Sequence, residues 1–161
     1  AILPIRRRIV RRHLLALTLL AAVPFEASAN PAFCEALNQL VSAAQSRFDW
    51  LPPGRHVIPG SIDERHGIVQ RPDGEPRGVI IAVMYRQNGP VQANVVRERF
   101  GTLQREVGGC LPNATTLDTM QGAGATLARW QTPYADIGLR RVDGGAEVAE
   151  TLIELSVASR W

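Results

Sequence analysis

Apolar positions between residues 31 and 48 recur as Phe33, Leu37, Leu40, Val41, Ala44 and Phe48, the spacing of one helix face over four turns. Asn30-Pro31 supplies a helix cap followed by proline at the first helical position, so the pattern predicts a helix that ends near Asp49, ahead of Pro52-Pro53-Gly54. A second amphipathic stripe, Val96, Phe100, Leu103, Val107 and Cys110, has spacings of 4, 3, 4 and 3 and predicts a helix from about Val91 to Val107, stopped at Gly108-Gly109.

Between these helices, Arg77 to Arg86 is a β-branched apolar run and reads as a central strand. Shorter strands are expected around Val57-Ile58 and from Gly67 to Gln70, among turns at Pro59-Gly60 and Arg71-Pro72-Asp73-Gly74. The last third predicts strands at Ala123–Gln131, Ala135–Val142 and Val148–Ala158, with Asp143-Gly144-Gly145 as a hairpin signal. Thr151, Ile153, Leu155 and Val157 alternate with polar positions, which describes a strand with one buried face.

The predicted order is α-β-β-α-β-β-β. The economical packing is an α+β two-layer sandwich: a mainly antiparallel sheet of about five strands with two antiparallel helices on one face. The other sheet face is expected to carry Ile80, Ala82, Met84 and Leu152 or their alternates, and to need a cover. Loops, a second copy or a ligand would supply it.

Residues 1–29 form a separate unit. Five arginines (6, 7, 8, 11 and 12) precede the apolar run Leu14 to Val23, and the segment closes on Ala27-Ser28-Ala29. This is the layout of a cleaved bacterial-type signal peptide, since a run of about 10 apolar residues is half of what a permanent span requires. The reading divides the chain into a leader, 1–29, and one domain, 30–161, with no membrane span after cleavage. Arg11-Arg12 leaves the choice between the general and the twin-arginine export route open.

The leader changes the charge argument. The whole chain is +3, but the leader holds five of the eighteen basic residues and one of the fifteen acidic ones, so residues 30–161 carry 13 against 14, a net of −1. A nucleic-acid partner, which calls for a basic surface, is not expected. All eighteen basic residues are Arg, which excludes Schiff-base and Walker-type lysine chemistry. No cofactor is implied.

The chain has two cysteines, Cys34 and Cys110. In an exported protein without a C-x-x-C motif they are expected to form one structural disulfide.

Candidate chemistry is sparse. His56, Asp63 and His66 have metal-ligating and acid-base side chains, although their spacing matches no known motif and a polar turn uses the same residue types. Ser61 with His66 and Asp63 makes a conceivable triad, but all three sit on one short stretch, and there is no G-x-S-x-G elbow. Trp50, Trp130 and Trp161 stand at element ends as candidate binding platforms. Arg129, joined by one of Arg140 and Arg141, is a candidate anion contact, because adjacent strand residues point opposite ways.

Taken together, these features describe a small domain exported to the periplasm or the exterior. Its expected role is to bind a protein or cell-envelope component rather than to catalyse. The alternatives are a metal-dependent or other small hydrolase centred on His56, Asp63 and His66, and a homodimer formed through the sheet.

Overall fold

Helix α1 (Pro31–Ala43) starts at the predicted cap, where Asn30 Oδ1 accepts the Ala32 amide at 3.1 Å. The structure is a computed structural model and describes residues 30–49, 51, 57–89, 91–144 and 150–161. The expected leader, 1–29, along with Trp50, His56 and the end of the Asp143-Gly144-Gly145 turn, lies outside the described residues. The helix is shorter than its apolar stripe: a 3-10 turn, Ala44–Ser46, takes over, and Arg47 and Phe48 follow at φ of 55° and 62°. Such left-handed backbone is unfavourable for bulky residues. Phe48 is held there by burial of its ring and by its amide, which donates to the Ala43 carbonyl at 2.9 Å.

The remaining elements are β1 (Asp63–Gln70), β2 (Pro76–Asn88), α2 (Ala93–Cys110), β3 (Thr115–Gly122), β4 (Ala125–Gln131), β5 (Ala135–Val142) and β6 (Glu150–Ser159). All neighbouring strands are antiparallel, in the spatial order β1-β2-β6-β5-β4-β3. The α+β class is as expected, but the sheet has six strands rather than five, and the chain order is α-β-β-α-β-β-β-β. The added strand is β3, an edge strand in which seven of eight positions are exposed, so it shows no apolar alternation. Conversely, Val57 and Ile58 form no strand, and β1 begins four residues before the expected Gly67.

Both helices pack on one sheet face. Leu37 and Leu40 of α1 and Phe100 and Leu103 of α2 share one core cluster with Ile80 and Ala82 of β2, Ile137 and Leu139 of β5, and Ile153 and Leu155 of β6. Ile80 and Ala82 therefore face the helices, and their alternates Val79, Ile81 and Val83 take the outer face with Leu152. A register shift between Val83 and Tyr85 lets the consecutive residues Met84 and Tyr85 both reach the helix side.

The helices are not antiparallel. Phe33 shares a cleft with Arg99 and Leu103, Cys34 bonds to Cys110, and Val41 shares a cleft with Leu111 and Ala114, so contacts advance in the same direction along both. The sheet agrees. Ala44, just past α1, accepts a hydrogen bond from Ser159 Oγ at the end of β6, and Gly108 near the end of α2 lies against Trp130 at the end of β4. Strands β4 and β6 run in the same direction, because each is antiparallel to β5. A disulfide fixes one crossing point between two helices and leaves their relative direction free.

The disulfide itself is Cys34–Cys110, with Cα atoms 4.9 Å apart. Asn38 Nδ2 donates to both cysteine carbonyls, at 2.8 and 3.2 Å, and so ties the two helices at the same point. Among the described residues, no helix is long and apolar enough to cross a membrane.

Candidate functional site

Strand alternation separates the sequence-level metal candidates. Asp63 pairs with Val83 on the outer face, and its Oδ2 lies 3.9 Å from Arg86. His66 pairs with Ile80 on the helix face. These two side chains therefore project to opposite sides of β1, and among the described residues no group of three or more metal-ligating side chains assembles.

The neighbour that the structure singles out is Glu64. Its side chain is 1% exposed, its Oε2 accepts the amides of Val57 and Ile58 at 2.9 and 3.2 Å, and its Oε1 sits 4.0 Å from His66 Nε2 with no hydrogen-bond partner. This carboxylate staples the segment before β1 onto the sheet. The two residues it holds, Val57 and Ile58, are those for which the sequence suggests a short strand.

The outer face is a lattice of charges. Glu154, at 13% side-chain exposure, lies between Arg65 at 2.7 Å and Arg140 at 3.7 Å, and Arg86 is 3.2 Å from Glu150. Arg140 shares this face with Arg129, whose Nη2 donates to the Asp118 carbonyl at 3.2 Å. Arg141 turns the other way, placing its guanidinium 5.5 Å from the Phe100 ring centre and pairing with Asp143. Of the adjacent pair, Arg140 therefore joins Arg129 on this face and Arg141 does not, as strand alternation requires.

The tryptophans divide. Trp130 is 4% exposed, because its position in β4 points it at the helices, so it belongs to the core and offers no surface platform. Trp161 is 47% exposed, and its ring lies 6.1 Å from that of Tyr134, itself 38% exposed, at an interplanar angle of 57°.

This aromatic pair stands at the end of the sheet where β5 starts and β6 finishes, and a second polar cluster lies at the same end. Asp136 accepts from Arg77 Nη1 at 2.7 Å and from Gln131 Nε2 at 2.8 Å, and it lies 3.8 Å from Arg160 Nε. Arg160 Nη1 donates to the Thr132 carbonyl at 3.0 Å, and Arg71 Nη1 donates to the Arg160 carbonyl at 3.2 Å. Sequence reasoning missed Arg71, Arg77, Tyr134 and Asp136. Their meeting depends on β6 inserting between β2 and β5, where small Ala158 lets Arg77 reach over β6 to Asp136. The local signal in the sequence is Trp161, standing at an element end next to Arg160.

On the helix side, an open cleft of about 230 Å³ is lined by Phe33, Met84, Leu103, Arg99 and Glu106 among others. The chain matches no protein-family model, no curated protein and no solved structure.

Proposed function

We propose that this chain is an exported, non-enzymatic binding domain that docks a protein or cell-envelope component at the Tyr134–Trp161 end of its sheet. The observation that carries the reading is the exposed Tyr134–Trp161 pair at the end of the sheet where Arg160, whose backbone amide donates to the Tyr134 carbonyl, meets Asp136 and Arg77. Exposed aromatic and arginine side chains are the residue types that dominate recognition surfaces, because each brings large contact area together with directional polar contacts. Export is supported by the leader-like pattern of residues 1–29 and by the disulfide, which needs an oxidising compartment.

The test is a native mass spectrum of the oxidised protein purified from its exported fraction, compared with that of a Trp161→Ala variant. The expected result is a discrete bound component in the parent that the variant lacks. Retention of the same component by Trp161→Ala would refute the docking site. Bound zinc that is lost on His66→Ala would replace the reading with a metal site.

A further inference from the structure

The reading just given leaves the ligand open, and the inference here rests on it and names the ligand's chemistry. Three guanidinium groups, Arg71, Arg77 and Arg160, gather at the Tyr134–Trp161 end of the sheet, and the carboxylates paired with them are Asp136 and Asp73. Each guanidinium is held in place by a few bonds: Arg77 by Asp136, Arg160 by Asp136 and the Thr132 carbonyl, and Arg71 by Asp73 and the Arg160 carbonyl. A guanidinium carries five N–H donors, so donors remain on each while its orientation is fixed. Side-chain exposures of 31%, 21% and 38% put all three groups within reach of solvent.

The corner thus combines three properties: two partly exposed aromatic side chains, an excess of positive charge held in fixed forks, and a carboxylate, Asp136, that is 35% exposed and able to accept hydroxyl hydrogen bonds. We infer that it is a subsite for an acidic sugar residue of a polysaccharide. The C–H face of a pyranose packs on the electron-rich face of Trp161 or Tyr134. The sugar's carboxylate takes the remaining donors of Arg77 and Arg160 in the charge-assisted geometry that guanidinium favours. Its hydroxyls donate to Asp136. An acidic peptide would satisfy the arginines but supplies neither the stacking ring nor the hydroxyls, and a free inorganic anion would leave the aromatic pair without a role.

The experiment titrates the oxidised chain with four probes: a glucuronate oligosaccharide, the glucose oligosaccharide of equal length, an aspartate-rich peptide and inorganic phosphate. Binding is read by calorimetry and by the Trp161 indole resonance. The acidic oligosaccharide is expected to bind, to shift that resonance and to weaken as salt rises. Arg77→Gln and Arg160→Gln should each weaken it about tenfold, the loss of one hydrogen bond between charged groups. Trp161→Phe keeps a ring face and should retain most of the affinity, and Arg99→Gln on α2 should change nothing. Tighter binding of the peptide, equal binding of phosphate, or no binding of the acidic oligosaccharide would overturn the assignment. If the sugar fails while the exported protein still holds a component that Trp161→Ala releases, the ligand class is wrong and the docking site stands. If neither is observed, both fall.

Discussion

At the scale of single residues, the pivotal side chain is Glu64, a buried carboxylate that satisfies two backbone amides seven and six residues before it. Buried backbone donors need partners, and a hydrogen bond to a charged group contributes about 1.5 to 3 kcal/mol. Glu64→Ala strands the Val57 and Ile58 amides and is expected to lower stability by about 1 to 3 kcal/mol, with Glu64→Gln intermediate, as measured by urea unfolding of the oxidised protein. Unchanged stability in Glu64→Ala would show that the staple is dispensable. The sequence places Glu64 inside its densest run of titratable residues, yet attention falls there on Asp63 and His66. The distinction depends on β1 starting at Asp63, because only in an extended strand do residues 63 and 66 part to opposite faces while 64 and 66 share one. The charged, exposed pattern of this edge strand concealed that start.

At the scale of elements, legibility follows burial. Strand β5, with its apolar inward positions, has the bounds that its pattern predicts, and β6 runs one residue past its predicted end, while its expected first two residues, 148 and 149, lie outside the described residues. Strand β3 is invisible to pattern reasoning, because an exposed edge has no buried face to record. Helix α2 runs three residues beyond Val107, through Gly108 and Gly109, to Cys110, where the bridge to Cys34 anchors a turn that glycine alone would let fray. Both sheet edges are guarded: β1 by Asp63, Glu64 and Arg65, and β3 by its register shift between Leu117 and Met120. The disulfide closes a loop of 76 residues in sequence, for which chain entropy gives about 4 to 5 kcal/mol of stabilisation. A Cys34→Ser/Cys110→Ser double variant should lose a large part of that figure in chemical unfolding. A loss below about 1 kcal/mol would mean that the Asn38 hydrogen bonds and the shared core hold the helix crossing without the bridge.

At the scale of the whole molecule, the two faces of the sheet are organised on different principles. The helix side is a continuous apolar core, whereas the outer side sets arginines against carboxylates across three or more strands, as in Arg65–Glu154–Arg140 and Arg77–Asp136–Arg160. The expectation of an outer face needing a cover takes a different form, since its small and apolar residues lie between long charged side chains. Those networks draw on residues up to 89 positions apart in sequence, and the last strand brings them together by entering the middle of the sheet. No periodicity announces such an insertion, which is why the fold class was legible and the candidate site was not.

Docking at the Tyr134–Trp161 end of the sheet is tested most directly by a photo-crosslinking amino acid placed at position 134 or 161, with position 45 on the helix side as control, and irradiated in living cells that produce the protein. Crosslinks to one discrete component from 134 and 161, and none from 45, are the predicted result. Crosslinks from 45 alone would contradict it and move the binding surface to the helix face.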